Sequence, residues 1–459
     1  MKPRDTDTPF PMTPADLLIE NALVVTMDKD FRVIENGAVA VGGNRLLGVG
    51  TTRDLKEQFR PERCIDGRRK LVLPGLVNTH THSPMTIYRG FADDIPLREW
   101  LYDHIFPIEA IFTDPENVRA GTRLAIAEML LSGTTTFNDM YYYVDEMARV
   151  VAQSGMRAVL NETIIDSPAP NSPTPAEGLA IANGLIENWN GHPLVTIGIG
   201  AHAPYSVAAD LVRQTKALAD RHHLPFNIHV AETRWEFEKI LRQHGATPVQ
   251  YLHGLDVLSP NMVAAHCVHL TEEDIGLLGS HGVGIAHNPQ CNMKLGNGIA
   301  PIPQLLKMGA KVGIGTDGAA SNNDLDMFDE MRSAALSHKL SSGDPTVMDA
   351  RSVVEAATMG GARVLGMDGQ IGSLTVGKKA DLIVLDMDKP HAFPFYNIYS
   401  LIVYSLRGSD VDSVMVDGRM LVEGRKLLTL DIERLYDKLG RIARQIKKEA
   451  GKLGIVNHH

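Results

Sequence analysis

The sequence predicts an α/β protein in which a closed (β/α)8, TIM-like barrel carries a small β-sandwich domain formed by the N- and C-terminal segments. The chain of 459 residues is long enough for a large barrel with an added module. Eight apolar, strand-like runs alternate with helical patterns through the middle of the chain. Short β-rich segments lie at both ends. These three observations together predict the architecture.

The two end segments have the pattern of hairpins. Residues 16–50 and 371–423 contain short β-branched runs separated by Asp, Asn and Gly pairs, a pattern typical of strands joined by tight turns. Neither segment alone has enough strands to bury one face of a sheet. We therefore expect residues 1–70 and 372–459 to form one composite β-sandwich beside a barrel of residues 71–371.

The middle of the chain contains the strands of the barrel. The runs are almost continuously apolar, as expected for parallel strands covered on both faces, and the segments between them have helical periodicity. A doubly wound open sheet is the alternative, but no Gly-rich GxGxxG turn follows the first strand. The eight runs are LVLPGLVNTHTH, GTTTFNDM, RAVLNETI, LVTIGIGAHAPYS, PFNIHVAET, MVAAHCVHL, GVGIAHNPQ and KVGIGTDGAAS.

Composition and charge exclude several classes of partner. The 45 Lys and Arg residues are outnumbered by 55 Asp and Glu residues, and no basic run could follow a phosphate backbone, so we expect no nucleic-acid partner. No stretch approaches the roughly 18 apolar residues of a membrane span, and the N-terminal MKPRDTDTPFPMTP lacks a signal-peptide core. Cys64, Cys267 and Cys291 form no CxxC pair, which favours a reducing cytoplasm over a disulfide framework or a thiolate zinc site.

Polar side chains follow nearly every predicted barrel strand. Active sites of such barrels lie at the carboxyl ends of the strands, whereas core histidines would be scattered without regard to strand ends. The shared position is therefore stronger evidence than any single residue. The strand ends carry His80 and His82, Asn138 and Asp139, Glu162, His202, His229 and Glu232, His266 and His269, His287 and Asn288, and Asp317.

Four of these residues form a metal-binding set. His80 and His82 are two positions apart, so on a strand their side chains point to the same face. With His229 and Asp317 they supply the His and carboxylate ligands of one catalytic zinc or iron ion, with a position left for water. The alternatives are a satisfied core histidine for His229 and a helix cap for Asp317, but small residues surround Asp317 as a crowded metal site requires. The fourth strand ends without a bridging lysine, which favours a single metal.

Three residues are candidates for proton transfer. A metal lowers the pKa of its bound water to about 7, and the protons must then be moved. Glu232 lies three residues after His229 and suits protonation of a leaving group or ring nitrogen. We expect His266 to orient the water and Asp317 to accept its proton. His269 competes for the first of these roles, but His266 lies nearer the end of its strand.

The motifs resemble those of the amidohydrolase superfamily, and specifically the cytosolic aminohydrolases that include 5-methylthioadenosine/S-adenosylhomocysteine deaminases. The resemblance covers essentially the whole chain and includes PGLVNTHTH, IHVAET, VAAHCVHL, HNPQCNMKLGNG and GIGTDGAASNNDLDMF. It implies hydrolytic deamination and a homo-oligomer. It also implies one divalent metal per subunit, with zinc as the expected ion and iron and manganese as alternatives. The implied metal ligands are His80, His82, His229 and Asp317, and the implied proton-handling residues are Glu232 and His266.

The resemblance also implies a substrate side. In REWLYDHIFPIEA, Glu109 matches a glutamate that holds ribose hydroxyls, and in GAHAPYS, His202 matches a histidine that meets the purine ring. Without the resemblance these residues would be a helix charge and a loop histidine. Trp100 either lines the pocket or packs inward from an amphipathic helix. Glu232 and Asp317 would contact the reacting ring.

The sequence departs from some relatives at the third strand. Relatives that act on S-adenosylhomocysteine have arginines at this strand end and in the next loop, where the amino-acid carboxylate would lie. Here the text is LNETIIDSPAPNSPTPAEG, with Glu162 and no arginine or lysine, while Arg157 lies at the beginning of the strand. The sequence therefore lacks, at this place, an arginine that could bind a carboxylate through two hydrogen bonds. This difference favours 5'-methylthioadenosine over S-adenosylhomocysteine as the substrate.

Two alternatives to an adenosine-type deaminase are a hydrolase of another heteroaromatic ring and a non-catalytic scaffold. Deamination of a guanine-type ring or dechlorination of a triazine would use the same metal centre, but would leave Glu109 and His202 without a use. A non-catalytic scaffold would have lost ligands, whereas every expected ligand is present in this sequence.

Overall fold

The structure, a computed structural model, describes residues 12–455. The first eleven residues and the closing VNHH, for which no role is predicted, lie outside the described residues. The strands are β1 Thr13–Val25, β2 Val33–Gly42, β3 Arg45–Thr51, β4 Phe59–Asp66, β5 Lys70–Pro74, β6 Leu76–Thr81, β7 Thr134–Tyr141, β8 Arg157–Ile164, β9 Val195–Ala201, β10 Phe226–Val230, β11 Met262–His266, β12 Gly284–His287, β13 Lys311–Ile314, β14 Leu382–Asp386, β15 Val411–Val416, β16 Arg419–Glu423 and β17 Lys426–Leu427.

Helices connect these strands and cover the barrel. They are α1 Thr52–Gln58, α2 Leu97–Glu99, α3 Phe106–Phe112, α4 Pro115–Leu131, α5 Val144–Ser154, α6 Pro175–Trp189, α7 Ala209–Arg221, α8 Arg234–His244, α9 Pro248–Gly254, α10 Glu272–Ser280, α11 Pro289–Lys294, α12 Ile302–Lys307, α13 Met327–Ser342, α14 Ala350–Glu355, α15 Gly361–Val364, α16 Ile398–Tyr404 and α17 Ile432–Leu453. One π-helical turn, Trp100–Ile105, joins α2 to α3.

The predicted barrel is confirmed. Strands β6 to β13 form one sheet in sequence order, and each neighbouring pair is parallel. Its first and last strands approach each other, since the Asn78 side chain donates to the Thr316 hydroxyl at 2.8 Å and the Asp317 N–H donates to the His80 carbonyl at 2.9 Å. All eight predicted runs contain one of these strands, so the alternation of strands and helices identified them correctly.

A second sheet combines both ends of the chain, as predicted. Its strand order is β17-β16-β15-β14-β5-β1-β2-β3, with β4 paired to β1. The two ends meet where β5 pairs antiparallel with β14. The first predicted run therefore contains two strands, and the chain passes between the sheets at Gly75, where a Cβ would lie 2.0 Å from the Thr135 hydroxyl oxygen. The exact division at residues 70 and 372 stays a prediction.

The last helix belongs spatially to the barrel. In α17 the residues Leu435, Ile442, Ile446 and Ala450 are buried and form one apolar face at helical spacing. This helix packs against α4, although it follows the strands of the second sheet in the chain. Among residues 12–455, no helix is both long and apolar enough to span a bilayer.

Candidate metal centre and substrate pocket

The first and fifth barrel strands bring three imidazoles together. The ring centroid of His80 lies 4.8 Å from that of His82 and 4.9 Å from that of His229. The Nδ1–H of His82 donates to the Met140 carbonyl at 2.6 Å, and that of His229 donates to the His202 carbonyl at 2.8 Å. Both rings therefore direct Nε2 toward the centre of the cluster, where the two Nε2 atoms are 3.4 Å apart.

Asp317 joins this cluster from the loop after β13. Its Oδ1 lies 3.2 Å from Nε2 of His82 and 3.5 Å from Nε2 of His80. The backbone of Asp317 is left-handed, with φ of 60°, a conformation that non-glycine residues rarely adopt and that is common at functional sites. A Cβ at Gly315 would lie 2.8 Å from the backbone nitrogen of His80, so the small neighbours of Asp317 allow this close packing.

The donor atoms of the cluster fit a divalent metal. Within the described part of the chain, Nε2 of His80 and Oδ1 of Asp317 are buried and have no hydrogen-bond partner. Most buried polar atoms in proteins are paired, so these two adjacent atoms are available to a ligand. Three imidazole nitrogens and one carboxylate oxygen are a typical ligand set for a catalytic zinc-type ion. The ligand atoms of His80, His82 and His229 lie within 4.8 Å of one another, and Oδ1 of Asp317 lies close to two of them, so this cluster could hold a metal ion.

The pKa values of the cluster agree with this interpretation. Burial lowers the pKa of His80 to about 4 and holds that of His229 well below 6.5, so both rings keep a free lone pair. Burial opposes ionisation of Asp317, but contacts with His80 and His82 hold its pKa well below its usual range. Burial lowers the pKa of His82, but the contact with Asp317 outweighs the effect of burial and raises this pKa to about 9. A cation between His82 and Asp317 would take the place of the positive charge that the Asp317 carboxylate favours on His82.

Glu232 lies beside the cluster and is held by its neighbours. Its Oε1 accepts from the Asn297 side chain at 3.1 Å, and its Oε2 lies 3.9 Å from Nε2 of His266. Burial raises the pKa of Glu232, which favours a proton donor. The buried carboxylate of Glu236 accepts the backbone N–H groups of Ala231 and Glu232 at 2.9 and 2.8 Å, and thereby fixes the backbone that carries Glu232.

His266, and not His269, faces the pocket. The Nδ1–H of His266 donates to Oδ1 of Asn292 at 2.9 Å, so its Nε2 points toward Glu232. His269 is not among the residues that line the pocket. The preference for His266, made from its distance to the strand end, agrees with this geometry.

The second oxygen of Asp317 accepts from a thiol and a hydroxyl that the sequence did not indicate as site residues. The Cys291 thiol donates to Oδ2 at 2.7 Å and the Ser321 hydroxyl donates to it at 2.8 Å. Oδ1 is therefore left for a metal. Cys291 occurs within HNPQCNMKLGNG, but only the folded loops show which residue it meets.

The predicted substrate residues line one pocket with the metal cluster. The pocket is lined by His82, His229 and Asp317 of the cluster and by Glu109, His202 and Trp100, so apolar and polar side chains converge there as in small-molecule sites. Glu109 is 6% exposed, its Oε1 accepts from the Tyr141 hydroxyl, and burial raises its pKa to about 7. His202 shares a hydrogen bond of 2.6 Å between Nδ1 and Ser206 Oγ. Trp100 lines the same pocket from the π-helical turn, and its buried Nε1 has no partner among the described residues.

Not every strand-end residue faces the pocket. Glu162 is fully buried but turns away, since its Oε1 accepts from the Asn171 side chain at 2.6 Å and its Oε2 from the Val144 N–H at 3.4 Å. Its neighbour Thr163 lines the pocket instead. Arg157 is paired with Asp381 at 2.8 Å, so it is not available to a substrate.

A ring of asparagines lies one layer below the metal-facing residues, and we call it the asparagine ring. The Asn138 amide donates to Asn227 at 2.7 Å, Asn227 donates to Asn161 at 2.6 Å, and Asn161 donates to Asn138 at 2.8 Å. Asn227 is two residues before His229 on β10, so the two side chains point to the same face. The ring closes its own hydrogen bonds inside the barrel.

The chain is similar to known proteins over most of its length. Residues 71–421 match the profile described as the Amidohydrolase family. The 5-methylthioadenosine/S-adenosylhomocysteine deaminase of Syntrophobacter fumaroxidans is 47% identical over 433 residues, which are 94% of this chain and 99% of the relative. The 5-methylthioadenosine/S-adenosylhomocysteine deaminase 1 of Syntrophus aciditrophicus is 44% identical over 95% of this chain and 99% of its own length.

A solved structure is also similar. The crystal structure of an adenosine deaminase from Xanthomonas campestris with bound zinc has a TM-score of 0.94 and 38% sequence identity to this chain. The similarity covers 95% of this chain and 100% of that one.

Proposed function

The chain belongs to the amidohydrolase family, and from that premise we propose that it is a metal-dependent hydrolase that deaminates a 5'-modified adenosine to the inosine-type product and ammonia. The bond cleaved is a C–N bond of a cyclic amidine. We infer that 5'-methylthioadenosine is the preferred substrate and that S-adenosylhomocysteine is a weaker one. The observation that carries the proposal is a single pocket that contains the metal-type cluster, a buried proton donor and Glu109.

The metal ligands in this proposal are His80, His82, His229 and Asp317. We infer zinc, because the relative of known structure binds it and because three imidazoles with one carboxylate are typical of zinc enzymes. Iron and manganese accept similar ligands. When bound, the ion supplies a water whose pKa is lowered to about 7 and which can act as a nucleophile.

The side chains of the protein then move the protons. Deamination adds water at C6 of the adenine ring and expels ammonia, so one proton must reach ring N1 and another must leave the water. Glu232 delivers the proton to N1, since burial raises its pKa and a protonated carboxyl is the form that can donate. Asp317 accepts one proton of the water and later gives it to the departing amino group, which leaves as ammonia. Glu232 recovers its proton from the new hydroxyl at C6, and Nε2 of His266 orients the water. Asn297 and Asn292 keep these two side chains in position.

Glu109 and His202 hold the nucleoside. Glu109 uses one oxygen for Tyr141, and its other oxygen is free to accept both ribose hydroxyls. Burial lowers the pKa of His202 to about 4, so its neutral ring meets the neutral purine without a desolvation cost for a charge. Neither residue has a use in a reaction of guanine or a triazine, which lack the ribose.

The preference for a methylthio group rests on the pocket wall. Leu97, Leu101 and Phe106 line it together with Met85, and no lysine or arginine of residues 12–455 does. An amino-acid carboxylate placed there would lose its hydration without gaining a cationic partner, whereas a methylthio group loses only water contacts. The cytoplasmic location and the homo-oligomer predicted from the sequence belong to the same proposal.

The test is an absorbance assay of the zinc-loaded enzyme, which follows conversion of adenine to hypoxanthine chromophores. The substrates are 5'-methylthioadenosine, S-adenosylhomocysteine, adenosine, adenine and guanine. We expect 5'-methylthioadenosine to have the highest kcat/KM. Metal-loaded enzyme that leaves every adenosine unchanged would refute the proposal.

Glu232→Gln tests the proton donor. The amide cannot protonate N1, so we expect kcat to fall by about a hundredfold or more, with the metal content unchanged. The matched control is Glu162→Gln, which alters another buried strand-end glutamate that does not line the pocket. A folded, metal-loaded Glu232→Gln enzyme with the parent's rate would remove Glu232 from the mechanism.

A further inference from the structure

A second cluster of metal-ligating atoms lies on the far side of Asp317. The carboxylate of Glu232, the imidazole of His266 and the thiol of Cys291 offer ligand atoms that all lie within 4.8 Å of one another. All three side chains are buried. We call this group the thiol cluster. The proposed mechanism uses Glu232 and His266 for proton transfer and gives Cys291 no chemical role.

Neighbouring amides hold two of these ligands in place. Asn297 engages Oε1 of Glu232 at 3.1 Å and Asn292 engages Nδ1 of His266 at 2.9 Å. The atoms left free, Oε2 and Nε2, face each other at 3.9 Å. A tetrahedral zinc-type ion has bonds of about 2.0 to 2.1 Å to nitrogen and oxygen ligands. Two such ligand atoms lie closer together than the separation of Oε2 and Nε2, so a small movement of the side chains would let both bind.

Asp317 links the thiol cluster to the proposed catalytic metal. Its Oδ1 faces His82 at 3.2 Å, and its Oδ2 faces the Cys291 sulfur at 2.7 Å. The two groups of ligands share this carboxylate, and they also adjoin at His266, whose ligand atom lies within 4.8 Å of those of His80 and Asp317. Hydrolases with two ions commonly hold them about 3.5 to 4 Å apart, a spacing that a shared carboxylate allows.

We propose that the thiol cluster is a second cation site that takes a thiophilic divalent ion, zinc in excess or cadmium, and that this ion inhibits the enzyme. Thiolate ligands select zinc-type ions over magnesium and calcium, which prefer oxygen. On binding, the S–H bond of Cys291 breaks, its proton leaves to solvent, and a sulfur–metal bond forms with no change in oxidation state. The bound ion occupies Oε2 of Glu232 and Nε2 of His266, so neither can serve the reaction.

The experiment starts from enzyme that carries one zinc per chain, in a Cys64→Ser background because Cys64 is exposed and would itself bind soft metals. Cadmium chloride is added stepwise. Three quantities are measured at each step: the metal bound per chain, the ultraviolet charge-transfer absorption of a thiolate–cadmium bond, and the remaining rate with 5'-methylthioadenosine.

We expect one cadmium per chain to bind beyond the zinc, with the charge-transfer absorption and the loss of rate rising together. In Cys291→Ser, the hydroxyl can still donate to Asp317 but is a poor metal ligand. The first zinc should therefore remain, the absorption should be absent, and the inhibitory cadmium concentration should rise about tenfold or more. Cys267→Ser is the control, since this buried thiol faces the Ala264 carbonyl and should leave all three quantities unchanged.

Three results would overturn the proposal. The first is enzyme that never binds more than one ion. The second is charge-transfer absorption in metal-free enzyme at the first equivalent of cadmium, which would make Cys291 a ligand of the catalytic ion. The third is equal inhibition of the parent and Cys291→Ser. The metal and absorption measurements do not depend on the substrate, so they remain decisive even if the proposed reaction is wrong.

Discussion

Two buried polar layers lie one above the other inside the barrel, and they differ in how their hydrogen bonds end. The asparagine ring satisfies itself, because each amide donates to the next at 2.6 to 2.8 Å. In the layer of proposed metal ligands above it, Nε2 of His80 and Oδ1 of Asp317 have no partner among residues 12–455. Since an unpaired buried polar atom costs about 1 to 3 kcal/mol, the lower layer stabilises the barrel and a ligand would stabilise the upper layer.

The comparison shows that burial and polarity alone do not identify a site. Asn227 and His229 are both buried, lie on β10 and share a face. What separates them is whether the protein itself supplies every hydrogen-bond partner. Substitutions at these two positions therefore separate the two roles.

The largest expected effect is the loss of activity in His229→Ala. Removing one of four ligands should release the metal, and with it several kcal/mol of transition-state stabilisation, so we expect kcat/KM to fall by about a thousandfold or more. The metal-free variant should unfold at a lower temperature than the metal-free parent, because it loses the hydrogen bond of His229 to the His202 carbonyl and leaves a cavity. Metal analysis, steady-state kinetics and calorimetry measure these effects. Full metal content in the variant would contradict the assignment.

The next largest effect is on stability, in Asn227→Ala. This change leaves the amide of Asn138 and the carbonyl of Asn161 each short of a partner, so we expect the free energy of unfolding to fall by about 2 kcal/mol or more. The metal ligands are untouched, and the folded variant should bind one zinc per chain. Denaturant unfolding at a temperature where both proteins are folded gives the difference. An unchanged unfolding midpoint would show that the ring does not stabilise the barrel.

A smaller effect is expected in Glu236→Gln, which probes how the upper layer is positioned. The Gln amide presents N–H groups toward one of the two backbone N–H donors that Glu236 accepts, so Glu232 should shift. Because small misplacements of a reacting group are costly, we expect kcat to fall about tenfold with a smaller change in KM. Glu238→Gln is the matched control, as Glu238 is exposed on the same helix. A larger effect on KM than on kcat would argue against a positioning role.

The smallest effect on activity is expected in Glu162→Gln, a strand-end carboxyl that faces neither layer. Burial raises its pKa from 4.5 to about 7, so between these pH values the folded protein keeps a proton that the unfolded chain releases. The parent therefore loses stability as pH rises through this window. The variant lacks this titration and should gain stability relative to the parent from pH 4.5 to pH 7. Urea unfolding across that range measures the difference, and a constant difference would refute the shift.

The sequence predicted the barrel because its signals are local. Each strand is a short apolar run, and a polar residue at its carboxyl end marks the mouth of the barrel, which brought His80, His229 and Asp317 into one group. The alternation of faces along a strand is also local. It explains why Thr163 and not Glu162 reaches the pocket, although the sequence does not indicate which of two adjacent residues faces inward.

The residues that were missed depend on loops from different strands. Cys291 meets Asp317 across 26 positions, and Asn297 meets Glu232 across 65, distances at which no periodicity applies. The backbone is left-handed at Ala231, His266 and Asp317, and this conformation sets the direction of the side chains there. Non-glycine residues rarely adopt it, so residue propensities do not predict it. Glu236 could have been found, because a glutamate three residues after a Thr cap is a recognisable helix start.

The contact between the first and last barrel strands also determines when the site can form during biosynthesis. Asn78 and Thr316, 238 positions apart, meet across it, and β5 finds β14 only after the chain has been made past residue 382. A nascent chain is extended from its N-terminus, so His80 and His82 emerge long before Asp317 is translated. The complete set of the four proposed ligands therefore exists only after most of the chain has been made, and a prematurely terminated product would carry histidines without that set.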